Sequence, residues 1–298
     1  MANEFRRAEL YPGFEVTSDD ILADIGCGRG DVCIFAGNLG ADVIAVDVEL
    51  PFLEFVRTRM ALIPARSFLT VLSTDSSIPL ADDSTTAIVV REVMEHVDDP
   101  EHFLLELYRV SKAGGRILLS VPDSISEQVM KVVAPPDYFQ KPQHQHIYER
   151  ERLAKLVLNA GYQIASTSYT GFYWSIWWII RMAIETHYCP GQDGPVPELL
   201  AGWEQIWNAL QLTKSGPQLV AALERVMPKS QVLILRKPTG HEAALDLEGL
   251  DCTPSVATED DSQVVSRRAY ETLLSLYREN QRHLEALRQS ALTGNRVS

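Results

Sequence analysis

A doubly wound, mainly parallel α/β sheet is the fold class that this chain of 298 residues predicts, on three observations. Short apolar runs alternate with helical stretches through most of its length. A glycine-rich turn, Gly26-Cys27-Gly28-Arg29-Gly30, joins the first clear run, Ile21 to Ile25, to a helical stretch from Asp31 to Leu39. The following run, Val43-Ile44-Ala45-Val46, ends in Asp47, an acid suited to ribose hydroxyls. Glycines in such a turn let the backbone approach a ligand at a helix N-terminus.

Strands are predicted near 21–25, 43–47, 68–73, 86–91, 116–121, 162–169 and 231–236, with helices between them. The helical run from Pro100 to Lys112 is closed by Ala113-Gly114-Gly115 before the apolar Ile117-Leu118-Leu119, a helix stop followed by a strand start. At the first turn the spacing separates two kinds of nucleotide ligand. A dinucleotide fingerprint needs its third glycine where this chain has Asp31; the third glycine comes one residue early. Asp24, just before the turn, is a further anion that a pyrophosphate would oppose and an ammonium or sulfonium would favour. The ligand implied is cationic near the loop.

With these residues the chain resembles the class I S-adenosylmethionine-dependent methyltransferases, whose first motif is an acid followed by Gly-x-Gly-x-Gly, met here by Asp24, Gly26, Gly28 and Gly30. The resemblance continues through Asp47, through Asp75-Ser76 in the segment Ser73 to Leu80, and through Arg91-Glu92-Val93-Met94-Glu95-His96-Val97 after the fourth strand. It covers roughly residues 20 to 125, and Asn159-Ala160-Gly161-Tyr162 looks like the family's later helix-to-strand junction. It implies S-adenosylmethionine as cofactor and a Rossmann-like sheet of seven strands, the last antiparallel. It implies that Gly26, Cys27 and Gly28 pack on the methionine part with Asp24 near its ammonium, and that Asp47 takes the ribose, with Val48 beside it. Asp75 would accept from the adenine amino group, the Ser76 amide would donate to the ring, and Arg91 would lie beside the methionine carboxylate.

Composition narrows the partners. A net charge of −13 argues against binding nucleic acid through its phosphates and favours a small molecule or glycan. Cys27, Cys33, Cys189 and Cys252 have neither metal-like nor disulfide-like spacing, and the first residues contain no apolar run, so a reducing, cytoplasmic setting is expected. Pro135-Pro136-Asp137-Tyr138 is similar to a motif of nucleic-acid amino methylating enzymes, but it follows the fifth strand rather than the fourth.

The methyltransferase domain is expected over 1–238, with a helical insertion at 170–229, a flexible linker at 239–261 and a C-terminal helix over 262–298. The insertion opens on Phe172-Tyr173-Trp174-Ser175-Ile176-Trp177-Trp178, too short and too interrupted by Arg181 to span a bilayer, which needs roughly 20 apolar residues. Three readings stand for it: a helix buried against the sheet or in a dimer contact, a substrate lid, or peripheral contact with a membrane surface. In the tail, Tyr270, Leu273, Tyr277, Asn280, Leu284, Leu287 and Ala291 repeat at three-four spacing, which suits a short coiled coil and a homo-oligomer, or a helix folded back on its own domain.

Methylation of a hydroxyl needs an aligned acceptor and a group that removes its proton. His144 and His146, on one side of an extended segment just after the proline-rich loop, and His96, after the fourth strand, are the candidate bases. No metal is expected: His144, His146 and Asp137 are the nearest approach to a ligand set. The function expected is O-methylation of a sugar, glycan or secondary metabolite. The alternatives are a quinone or lipid-like acceptor, or a non-catalytic partner of the same fold that acts through its tail.

Overall fold

The computed structural model describes residues 7–73, 77–187 and 196–239. A short antiparallel hairpin, β1 (Arg7–Tyr11) and β2 (Phe14–Thr17), precedes the main sheet. Then follow β3 (Ile21–Ile25), α1 (Asp31–Asn38), β4 (Asp42–Asp47), α2 (Leu50–Met60), β5 (Ser67–Leu72) and β6 (Thr85–Arg91). After these come α3 (Pro100–Val110), β7 (Ser111–Pro122), α4 (Ser124–Val133), α5 (Arg150–Asn159) and β8 (Gln163–Thr170). The helices α6 (Phe172–His187), α7 (Val196–Gln211) and α8 (Gly216–Val226) form the insertion, and β9 (Ser230–Arg236) closes the sheet.

The main sheet has seven strands in the order β5-β4-β3-β6-β7-β9-β8, with β9 antiparallel to both neighbours. Chain order reverses between β3 and β6, which both leave the sheet at the same end, so loops from both sides meet over that crevice. The seven strands foreseen from the sequence are all present. The helix expected to reach Lys112 stops at Val110, because Ser111 already starts β7 opposite Thr85.

Period-two alternation supplies two cores. From β6, Ile88 and Val90 face α3 and α5, where Leu104, Leu107, Leu153 and Val157 complete one layer. Ala87 and Val89 face the other way, onto Val32, Cys33, Leu53 and Val56 of α1 and α2. Phe14 and Val16 of the hairpin join that second layer. Arg116 fastens the hairpin: its guanidinium donates to the Glu15 carbonyl at 2.7 and 3.0 Å and to the Asp20 carboxylate at 2.5 Å. Burial works against the Asp20 charge, yet Arg116 and Thr86 hold its pKa below the ordinary value.

Helix starts follow their caps. Pro100 opens α3 behind Asp99, whose carboxylate accepts from the His102 amide at 3.0 Å. Asp123 caps α4 in the same way through the Ile125 amide.

The insertion has a small core of its own, Tyr173, Trp177 and Trp207, on which Trp203 packs. The Trp203 indole N–H donates to the Tyr173 carbonyl at 3.0 Å, and the two rings stack at 5.9 Å. The aromatic segment is thus largely a helix packed in a local core, and α6 also lies on α4 through a Ser126–Ser175 hydroxyl pair at 3.0 Å. Among the described residues no helix is long and apolar enough to cross a membrane. The linker at 239–261, but for Thr239, and the C-terminal helix lie outside the described residues.

Candidate active site

The glycine turn leaves β3 over the end of β4, where the Gly26 and Cys27 amides donate to the Val46 carbonyl at 2.8 and 3.0 Å. Gly26 has φ +69°, and a Cβ there would stand 2.4 Å from the Val93 side chain. Gly28, at φ +47°, has nothing within 4 Å of where its Cβ would lie, so its open side faces the crevice. Asp47 braces this turn: one carboxylate oxygen accepts from the Gly28 amide at 2.8 Å and the other from the Glu49 amide at 2.9 Å. The first oxygen also accepts from the Cys27 thiol at 3.9 Å, and the one facing Glu49 keeps a further lone pair for a ligand hydroxyl.

Asp24 is 4% exposed, and among the described residues its carboxylate accepts only from the Cys33 thiol, at 3.3 Å. Burial pushes its pKa up to about 7, with the Cys33 contact and the Arg91 charge pulling the other way. Arg91 ends β6, is exposed, and has no ion pair with a carboxylate among the described residues. A buried acid lacking a cation and a guanidinium lacking an anion thus flank one turn. They match the ammonium and carboxylate of a methionine moiety. A cavity of about 370 Å³ lined by Val48, Leu72, Ser73, Ser77 and Pro79 opens at the ends of β4 and β5, the size and place for an adenine ring. Asp75 and Ser76 lie outside the described residues, between the lining residues Ser73 and Ser77. These features fit S-adenosylmethionine.

Beyond β6 the chain turns at Glu92, a non-glycine residue at φ +54°, into a 3₁₀ turn, Met94–His96. The Glu92 carboxylate accepts from Lys229 at 2.6 Å, Ser230 at 2.9 Å and Ser120 at 3.0 Å. Burial opposes its charge, but Lys229 prevails and its pKa falls below the ordinary carboxylate value. Glu95 is 0% exposed, and among the described residues neither of its carboxylate oxygens has a hydrogen-bond partner. Burial, with the neighbouring Glu92 charge, pushes its pKa well above the usual range.

The loop between α4 and α5 folds onto this turn, because the Gln145 and His146 amides donate to the Glu95 carbonyl at 2.8 and 3.2 Å. His144 and His96 then meet edge to face, with ring centroids 5.0 Å apart. His144 Nδ1 donates to Glu127 of α4 at 2.9 Å, and His96 Nδ1 donates to the Pro142 carbonyl at 3.1 Å. Burial and the adjacent His144 lower the His96 pKa, which keeps that ring neutral. Tyr138 lies against His144 at 4.4 Å between centroids.

His146 goes elsewhere: its Nε2 meets the Val97 carbonyl at 2.9 Å. The structure therefore brings His96 and His144 together and directs His146 at the backbone. From sequence Glu92 and Glu95 read as helix-start charges, Glu92 within reach of an acceptor, while Glu127 and the Lys229 partner of Glu92 went unread. Glu127 left one signal, its place between Ser124, Ser126 and Met130 on the inner face of amphipathic α4. Among the described residues, the group of His, Cys, Asp or Glu whose ligand atoms converge, all within 4.8 Å of one another, is Glu95, His96 and His144, which includes neither His146 nor Asp137.

Residues 23–119 match the methyltransferase domain family. The chain is 31% identical over 124 residues to a mitochondrial ubiquinone biosynthesis O-methyltransferase of Schizosaccharomyces pombe, covering 40% of this chain and 42% of that one. It is 27% identical over 148 residues to a probable S-adenosylmethionine-dependent methyltransferase of Mycolicibacterium smegmatis, covering 50% of this chain and 53% of the relative. The chain thus spans about half the length of the curated relatives it matches. A solved Bacillus halodurans structure assigned to the methyltransferases shares the fold, with a TM-score of 0.51 at 17% identity over 75% of this chain and 95% of that one.

Proposed function

We propose that the chain carries a class I S-adenosylmethionine-dependent methyltransferase domain, a reading supported by the match of residues 23–119 to the methyltransferase domain family, and that it methylates a hydroxyl oxygen of a small acceptor. The observation that carries the reading is the pairing of a cation-hungry Asp24 and an unpaired Arg91 at the glycine turn with a polar cluster across the crevice. When bound, S-adenosylmethionine supplies a methyl group on a positively charged sulfur.

The chain's own residues do the rest. Asp24 takes the ammonium and Arg91 the carboxylate, Asp47 takes the ribose hydroxyls, and the cavity beside Val48 takes the adenine. Each ion pair formed in that partly buried setting also fixes the position of the reacting end. On the other side, His144, held by Glu127, and neutral His96 border the acceptor hydroxyl and promote loss of its proton to solvent.

Among acceptors, a phenolic ring of the quinone-precursor type is best supported. The Schizosaccharomyces pombe relative is named for ubiquinone biosynthesis, and the adjoining rings of His144 and Tyr138 supply flat faces for such a ring. A sugar or secondary-metabolite acceptor would rest on the aromatic insertion and the tail; in the insertion Tyr173, Trp177 and Trp207 are committed to packing, and the tail lies outside the described residues. Calorimetric titration with S-adenosylmethionine and S-adenosylhomocysteine comes first. Transfer of a labelled methyl group to catechols and hydroquinones, with nucleotide sugars as the competing panel, then tests the acceptor. Binding of neither sulfur compound overturns the reading, and transfer to sugars alone overturns the phenolic acceptor.

A further inference from the structure

We propose that Glu95, His96 and His144 form a site for a divalent transition-metal ion on the acceptor side of the crevice. Its purpose, though not its existence, rests on the hydroxyl-methylating reading above.

Three features point to an ion. The first is convergence: one ligand atom from each of the three side chains lies within 4.8 Å of the others, and His96 Nε2 stands 3.9 Å from the Glu95 carboxylate. Ligand atoms around a zinc-sized ion, at bonds of about 2.0 Å, stand roughly 3.3 Å apart. A small side-chain adjustment closes the set, and His96 is only half-buried, its hydrogen bond to Pro142 lying on Nδ1 rather than on the Nε2 that must move.

The second feature is the Glu95 carboxylate. It is fully buried and neither oxygen has a hydrogen-bond partner, an arrangement that costs free energy unless something else compensates it. The backbone around it is firmly held, since the Glu95 carbonyl accepts two amides from the loop that carries His144. The neighbouring Lys229 ammonium is already bound to Glu92 and forms no hydrogen bond with Glu95.

The third feature lies behind the imidazoles. Each donates its Nδ1–H outward, His144 to the Glu127 carboxylate and His96 to the Pro142 carbonyl. In a neutral ring that leaves Nε2 as the unprotonated nitrogen, the form in which histidine ligates a metal. A carboxylate or carbonyl behind a ligating histidine is the recurring outer partner of metal-bound imidazole. Tyr138, which donates to the other Glu127 oxygen, extends the support.

Two imidazole nitrogens with one carboxylate suit Zn²⁺, Mn²⁺, Fe²⁺ or Co²⁺ better than Mg²⁺ or Ca²⁺, which prefer all-oxygen surroundings. Three protein ligands leave at least one position open. The acceptor hydroxyl is the group suited to fill it, because a cation there lowers the hydroxyl's pKa and its proton leaves to water.

The test uses the full chain, treated with EDTA and dialysed, then titrated calorimetrically with MnCl₂ and ZnCl₂ alone. One ion per chain at micromolar dissociation constant or tighter is expected. Glu95→Gln and His144→Ala should each weaken binding by more than tenfold, and Glu127→Gln by about 10- to 100-fold. His102→Gln, a histidine on α3 outside the cluster, should bind like the native chain. Titration of the same variants with S-adenosylhomocysteine reports folding and should not change. Absence of ion binding by the native chain, or equal binding by Glu95→Gln and His144→Ala, overturns the site. Ion binding with methyl transfer indifferent to EDTA overturns its link to the acceptor. Loss of S-adenosylhomocysteine binding in the native chain counts against the methyltransferase reading instead and leaves the metal titration to stand alone.

Discussion

The Lys229 ammonium donates to the Glu92 carboxylate at 2.6 Å, tying the end of the helical insertion to the turn that follows β6. Two segments far apart in sequence thereby meet at the wall of the crevice.

Replacing Lys229 by Met leaves Glu92 partly buried without its cation and should cost about 1–3 kcal/mol in urea unfolding, less than a fully buried pair because both side chains keep some exposure. The double variant Glu92→Gln/Lys229→Met should recover part of that loss. The Glu92 pKa lies below its unfolded value of 4.5, so its contribution is present above about pH 4.5 and fades as pH falls through the folded value. Equal stability of Lys229→Met and native protein at pH 7 contradicts this pairing.

Asp24 behaves in the opposite sense. Its folded pKa of about 7 exceeds the unfolded 3.8, so the ligand-free protein loses stability as pH rises from about 4 to about 7 and levels off above. A ligand ammonium needs the ionised acid, so S-adenosylhomocysteine should bind about tenfold more tightly at pH 8 than at pH 6. Asp24→Asn should flatten that dependence while raising the ligand-free stability by about 1–3 kcal/mol. A pH-independent affinity in the native chain removes Asp24 from the ligand.

The glycine turn separates folding from binding. Gly26→Ala drives a Cβ to 2.4 Å from Val93 and should lower the melting temperature clearly. Gly28→Val meets open space, so its stability cost is the backbone strain of about 1–2 kcal/mol. Cofactor binding, however, should be lost beyond detection in calorimetry, because the side chain occupies the face a ligand would use.

His144→Ala should lower kcat/KM for methyl transfer by at least 100-fold with S-adenosylhomocysteine affinity unchanged, the size expected when a proton-handling group is removed. His146→Ala, whose ring serves the Val97 carbonyl, should fall by less than tenfold. Steady-state kinetics with an acceptor from the phenolic panel separates the two, and equal losses contradict the division.

The sheet was legible because its strands are short, apolar and bounded by turn residues, and the proposed cofactor side could be put forward from sequence because Asp24, Gly26, Gly28 and Asp47 are contiguous with those strands. The acceptor side was not, since it is assembled from the turn after β6, the inner face of α4, the loop before α5 and the residue preceding β9. Glu95 and Glu127 sit where local pattern reads as ordinary helix-start charge or amphipathic surface, and only the tertiary fold buries them. His144 and His146 share a period but not a partner, because the loop is pinned by its own amides to Glu95 rather than laid out as a strand. The hairpin β1–β2 escaped as well: Phe14 and Val16 are two apolar residues among polar ones, and their burial depends on Arg116, a hundred positions away.

That clamp sets where the chain can be cut. The stretch that matches the family begins at residue 23, inside β3. Expression starting there would strip Phe14 and Val16 from the layer that covers Leu22, Leu118 and Ile234 and leave the Arg116 guanidinium without both of its acceptors. The unit that folds is therefore larger than the unit recognised by similarity, and a usable truncation has to keep the chain from Arg7 through β9.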